Sequence, residues 1–407
     1  MESSDRPYGI ELAPPARSDF QPIPTPRAVL VEEVATPTAA LIPAPADSSE
    51  GEHDTHLNDL LASMVAAGAS DLHLAAGSHP MVRLHGELRP LDQHPVLTSR
   101  VIQRVLYAVM TQRQRDRFEE HLELDFAHSV PGRSRFRVNV YRQRDSLGAA
   151  FRLIPQEIKP LEALGLPPAI ANFSSLPRGF VLVTGPTGSG KSTTLASLID
   201  LVNRQRKDHI MTVEDPIEFL HRSKSCLINQ REVGEDTWSF ANALKHVLRQ
   251  DPDVILVGEM RDLETISVAL TAAETGHLVF ATLHTQDAAQ TIDRVIDVFP
   301  SHQQQQVRVQ LAGTLQGVVC QTLCKTRDGQ GRIVATEVLI ATPAIRNLIR
   351  EGKTHQIYSA MQAGAKHGMH TLDQHLAELV KTNQIAYDEG LEKAHHHEDF
   401  NRLAGRG

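Results

Sequence analysis

The chain has 407 residues, of which 41% are hydrophobic and 22% charged, with a formal net charge of −8; that is enough apolar material for two or three cores of about 150 residues each, and it excludes wholesale disorder. No Lys/Arg run of five occurs, which argues against a nucleic-acid partner. Three cysteines are too few for a disulfide framework, no apolar run approaches the ~18 residues of a membrane span, and the first residues lack the basic start and apolar core of a signal peptide, so the expected address is the cytoplasm.

Residues 1–52 stand apart. Nine of the 23 prolines fall before position 50, and proline both removes backbone donors and disfavours helix. This predicts a disordered or polyproline-like tail, either a docking peptide or a plain flexible extension. Order is expected from about residue 53. Leu57, Leu60, Leu61, Met64 and Val65 have helical spacing. Short alternating pieces follow at 71–74, 81–84 and 135–141, with a helix over 99–110. Together they predict a small α+β domain over 53–153, followed by a proline-bearing linker over 154–176.

From Gly179 short β-rich runs at 180–184, 210–213, 254–257 and 278–283 alternate with longer helical stretches. That pattern predicts an α/β core over 177–290 with a mostly parallel sheet. Residues 291–393 read as chiefly helical, and 394–407 as a frayed tail. The tail holds His395, His396 and His397, which as consecutive residues do not share a helix face.

The sharpest signal is Gly185-Pro-Thr-Gly-Ser-Gly-Lys-Ser192, which fits G-x-x-x-x-G-K-[ST] at every fixed position, between a strand and a helix. Glycines allow the tight turn that aims backbone N–H groups at phosphate oxygens, and the helix N-terminus adds positive potential. The nucleotide contacts are therefore expected from Gly185, Pro186, Thr187, Gly188, Ser189, Gly190, Lys191, Ser192 and Thr193. Lys191 should reach the β- and γ-phosphates, and the Ser192 hydroxyl should ligate Mg²⁺. Hydrolysis also needs a carboxylate for the metal and a group acting on water, and these belong at the carboxyl ends of the strands. Three strand ends supply candidates: Glu214, Asp215 and Glu218; Gly258-Glu259, in place of the usual terminal aspartate; and His284, with His277 before the same strand.

These segments, in this order, resemble the secretion ATPase superfamily that powers type II and type IV secretion and type IV pili. Within it, residues 185–194, 214–219, 258–265, 275–285 and 344–351 are similar to the PilT-type branch of pilus retraction (twitching motility) ATPases. The Gly-Glu ending at 258–259 is itself a trait of that superfamily. The resemblance covers roughly residues 56–393. It implies a RecA-like P-loop ATPase domain, an N-terminal PAS-like domain and a helical C-terminal region, assembled as a homo-hexamer. It further implies ATP and Mg²⁺ as cofactors, and as partners an inner-membrane platform protein and the pilus machinery, with the protein peripheral to the inner membrane at the pilus base.

By the same resemblance Glu218 polarises the attacking water, and Glu259 holds Mg²⁺ through water. His277 and His284 have γ-phosphate-sensing and interface roles. Arg135, Arg137 and Arg152 lie where phosphate-reaching arginines of the N-terminal domain are expected, with Arg137 the candidate taken. Residues 344–351 are expected as an amphipathic helix whose Ile345, Leu348 and Ile349 pack inward, while Arg346 and Arg350 transmit motion to the pilus machinery. Cys320 and Cys324 have three residues between them and Cys226 is remote, so the four-cysteine zinc module of the extension and type II members is not expected. Two other readings stay open: a secretion or conjugation ATPase of the same superfamily, and a nucleotide-binding regulator of a pilus motor.

Overall fold

In the computed structural model, which describes residues 55–84, 86–130, 134–154 and 157–406, two β-sheets organise the chain. The expected tail over 1–52 lies outside the described residues. The N-terminal elements are α1 (Leu57–Ala66), β1 (Asp71–Leu74), β2 (Met81–Leu84), β3 (Glu87–Pro90), α2 (Ser99–Val109), α3 (Gln112–His121), β4 (Glu123–Val130), β5 (Ser134–Gln143) and β6 (Ser146–Ile154). Their strands form one antiparallel sheet in the order β3-β2-β1-β6-β5-β4. The helical spacing of α1 buries Leu57, Leu60, Leu61 and Met64 in a core with Ile102, Phe118, Phe136 and Phe151. Each such side chain stabilises by about 1.5–3 kcal/mol on full burial. Alternation along β5 sends Phe136, Val138 and Val140 into that core and turns Arg135 and Arg137 to the other face. Arg152 sits opposite Arg137 in the β5–β6 register.

The segment expected as a linker is ordered from 157. It forms two 3₁₀ turns, Leu161–Leu164 and Pro168–Ser175, and buries Leu161, Ile170 and Phe173 in the core of the second sheet. Its prolines favour short turns, and its apolar residues supply the anchor.

The second sheet comprises β7 (Gly179–Thr184), β8 (His209–Glu214), β9 (Leu227–Glu232), β10 (Val254–Val257), β11 (Leu278–Leu283), β12 (Leu315–Lys325) and β13 (Arg332–Ile340), in the order β13-β12-β7-β11-β10-β8-β9. All pairs are parallel except β12 with β13. Strands β7, β10 and β11 are buried throughout, as expected of parallel strands covered on both faces. The helices are α4 (Lys191–Gln205), α5 (Phe240–Val247), α6 (Leu263–Glu274), α7 (Ala288–Asp297), α8 (Ser301–Thr314), α9 (Pro343–Arg350), α10 (Ile357–Gln362), α11 (Leu372–Lys381), α12 (Tyr387–Lys393) and α13 (His397–Ala404).

Two expectations are amended here. The stretch after 290 is mostly helical but not wholly so: β12 and β13 extend the sheet, and β12 pairs directly with β7. The junction of α8 and β12 has no intervening loop and only Gly313 and Gly317 near it as a signal, although Val318, Val319, Ile333, Val334 and Val338 supply β-branched residues suited to strands. The tail over 394–407 is not frayed either. Phe400 of α13 is fully buried with Leu372 and Leu376, and Asp373 accepts the backbone N–H groups of His395 and His396 at 2.8 and 3.2 Å. Among the described residues no helix is long and apolar enough to cross a membrane.

Candidate nucleotide site

The carboxyl ends of β7, β8, β10 and β11 meet at one edge of the parallel sheet. After β7 the chain turns through Gly185, Gly188 and Gly190 with φ of 137°, 80° and 91°. A side chain at 185 is excluded: a Cβ there would lie 2.2 Å from the Gln321 backbone oxygen and 2.7 Å from Ser189 Oγ. The neighbouring strand β12 braces the turn from the side, where Gln321 Nε2 donates to Ser189 O at 2.8 Å. Pro186, Thr187 and Gly188 form an exposed rim. Ser192 and Thr193 are half-buried in the first turn of α4, whose N–H groups have no helical acceptor. Lys191 is almost enclosed, and its Nζ donates to the carbonyls of Gly185 at 2.8 Å and Pro186 at 3.0 Å. Burial lowers its pKa, against the carboxylates of Glu259 and Glu218.

Beyond β8 the chain makes a short loop. Glu214 Oε1 accepts from Thr212 Oγ1 at 2.6 Å and from Gln230 Nε2 at 3.1 Å. Burial raises the Glu214 pKa, opposed by these bonds and by the backbone N–H of Glu218. Asp215 lies at the surface, where desolvation by the surrounding chain raises its pKa against the charges of Arg137 and Arg261. Ile217 and Phe219 are buried, so Glu218 between them points outward. The Ile217 N–H donates to Glu232 Oε2 at 3.0 Å.

Strand β10 ends at Gly258-Glu259. A Cβ at 258 would meet Glu214 Cα at 3.1 Å and Val213 O at 3.2 Å, so the close approach of β8 explains glycine where an aspartate is common. Glu259 receives Arg261 in a two-pronged pair, Nε at 2.5 Å and a terminal nitrogen at 2.7 Å. The Nε2 of His284, at the end of β11, lies 2.8 Å from Glu259 Oε1. Burial would raise the Glu259 pKa, but the Arg261 bonds and charge, with His284, outweigh it and hold the carboxyl below its ordinary value.

Residues 47–389 match the type II/IV secretion system protein family. The chain belongs to that family. It is 54% identical over 344 residues to the type IV pilus retractation ATPase PilT of Pseudomonas aeruginosa, covering 84% of this chain and 99% of that protein. It is 50% identical over 321 residues to the twitching motility protein of Neisseria gonorrhoeae, covering 79% and 86%. The solved structure of the pilus retraction motor PilT with bound ADP superposes with a TM-score of 0.81 at 47% identity, covering 86% of this chain and 100% of that one. This member of the secretion family is thus an α/β ATP-hydrolysing enzyme with a nucleotide site.

Within this secretion-family fold, the loop over 185–193, Glu218, Glu259 and His284 gather at one end of the sheet. His277 does not join them. It precedes β11, where Leu278 pairs with Gly179, while Leu283 pairs with Thr184 beside the loop. Six residues of strand span about 20 Å, so His277 lies at the opposite end, its Nδ1 2.9 Å from the Ala272 carbonyl. Arg137 is exposed and acts on Asp215. Arg135 pairs with Glu232 at 2.6 Å, and Arg152 with Asp71 at 2.8 Å.

In α9, Ile345 and Ile349 are buried. Arg346, however, donates to the carbonyls of Ala341, Ala312 and Gly313 and to Gln316 Oε1 at 2.6–3.2 Å. It caps the C-terminal end of α8 and is not a free surface cation; Arg350 is exposed. Sequence reasoning missed Arg261, Glu232 and Gln321. Arg261, two residues past Glu259 at a strand end, carried a local signal; the other two carried none.

Proposed function

We propose that this chain is the ATP-driven motor of type IV pilus retraction, working as a homo-hexamer against an inner-membrane platform protein at the cytoplasmic base of the pilus. The observation that carries the reading is the convergence of the phosphate loop, Glu218 and Glu259 on one sheet edge, in a chain 54% identical to a pilus retractation ATPase. Backbone N–H groups over 185–193 and the Lys191 ammonium bind the phosphates. Glu218, outward-facing and close enough for its charge to act on Lys191, orients the attacking water and draws off its proton. Glu259 and the Ser192 hydroxyl are hard oxygen donors on adjoining strand and helix ends, the kind of pair Mg²⁺ takes; they would hold the ion, which when bound neutralises phosphate charge. His284 keeps Glu259 aimed. Arg137 supplies positive charge toward Asp215 at the rim, and His277, at the far end of β11, suits a contact between subunits rather than one with phosphate.

The test pairs two variants. Lys191→Ala should lose both nucleotide binding and turnover. Glu218→Gln should bind ATP normally and lose about 10²–10⁴-fold in kcat; wild-type turnover in Glu218→Gln sinks the assignment. In the host, deletion should leave abundant surface pili that do not twitch. A secretion defect with normal twitching would favour the secretion ATPase reading.

A further inference from the structure

Glu232 ends β9 with its side chain only 6% exposed. A single oxygen, Oε2, accepts two hydrogen bonds from separate parts of the molecule. One comes from the Ile217 N–H at 3.0 Å, the residue before Glu218. The other comes from the Arg135 guanidinium at 2.6 Å, on β5 of the antiparallel sheet. The loop is therefore tied through one enclosed carboxylate, whose ion-pair partner belongs to the N-terminal sheet.

The same corner is tied down twice more. Asp236 Oδ2 accepts the Glu232 N–H at 2.8 Å, and Gln114 of α3 donates to Glu235 Oε1 at 2.8 Å. Burial raises the Glu232 pKa, while the Ile217 N–H and Arg135 oppose that rise. Without the guanidinium, an enclosed carboxylate must take up a proton or turn toward water. Either change weakens the bond that sets Ile217, and with it the aim of Glu218.

We infer that Arg135 and Glu232 are positioning residues for hydrolysis: seating of the N-terminal sheet, transmitted through their ion pair, sets the loop that holds Glu218 against the attacking water. This rests on the water-orienting role proposed for Glu218. Turnover is fast when the N-terminal sheet is seated and slow when it lifts, which ties the chemical step to domain position.

Steady-state and single-turnover hydrolysis should be measured on the full chain for Arg135→Gln, Glu232→Gln and the double variant, normalised to bound fluorescent ATP analogue. Displacing a catalytic group by about 1 Å can cost about 10²-fold, so each single variant should lose about 10–100-fold in kcat with KM for ATP within about twofold. The double variant should be no worse than the poorer single, as expected of two residues acting through one contact. Arg135→Lys, which retains the charge and perturbs folding least, should recover part of the loss. Unchanged kcat, multiplied effects in the double variant, or a loss confined to KM each overturn the inference. Glu218→Gln run alongside separates the layers. If it turns over normally, the role of Glu218 fails; if it is inactive while the Arg135 and Glu232 variants are normal, only the coupling fails.

Discussion

The phosphate loop and the Glu218 loop lie at the same sheet edge but are built in different ways. The first is nine contiguous residues whose shape is set by left-handed glycines and whose proposed phosphate contacts are backbone N–H groups. The second is a short turn held by side chains from other strands: Gln230 and Glu232 of β9, with Arg135 of β5 behind Glu232. Nucleotide binding therefore rests mainly on local chain geometry. The group proposed to act on water depends on tertiary assembly, so the chemical step can be made conditional while binding is not.

The largest break in this contrast is Gly185→Ala. The new Cβ would sit 2.2 Å from a backbone oxygen at φ 137°, a clash that no side-chain rotation relieves. Nucleotide binding should be lost at concentrations that saturate the wild type, read by calorimetry with a non-hydrolysable analogue. Normal affinity would show that the loop's shape is not dictated by its glycines.

A second substitution targets the other loop through the backbone. Gly258→Ala brings a Cβ to 3.1 Å from Glu214 Cα and 3.2 Å from Val213 O. Overpacking of this kind costs about 1–3 kcal/mol. Because the loop bearing Glu218 starts directly after Glu214, kcat should fall about tenfold, with affinity for ATP changed by no more than about twofold. If affinity falls and kcat holds, the two loops are not separable in the way their construction suggests.

What the sequence made legible follows the same division. The strand–loop–helix unit and the places of Lys191 and Ser192 at the start of its helix were readable because every determinant lies within a dozen residues. The braces on that unit were not: Gln321 is 132 positions from Ser189, and Glu232 meets Arg135 across 97. His277 and His284 resembled a functional pair, yet a fully extended strand separates their ends, and only the β7–β11 register shows which end holds the phosphate loop. Spacing alone set Arg346 on a different face of the helix from its packed isoleucines; the carbonyls at the end of α8 that claim it come from another element. Strands β12 and β13 escaped notice because α8 runs directly into β12 with no loop between them.

The smallest expected effect tests whether the phosphate loop is as self-contained as it looks. Gln321 reaches it from β12 with one hydrogen bond to the Ser189 carbonyl, and Gln321 Oε1 is buried with no partner among the described residues. Gln321→Ala removes a neutral bond worth about 1 kcal/mol, while the backbone contact of β12 beneath Gly185 remains. The expected result is a KM for ATP raised up to about fivefold, with kcat unchanged and the melting temperature slightly lowered. An equal fall in kcat would mean that β12 also governs the chemical step, and that binding and hydrolysis share a tertiary brace. A silent variant would mean that the glycines hold the loop without help from its neighbour.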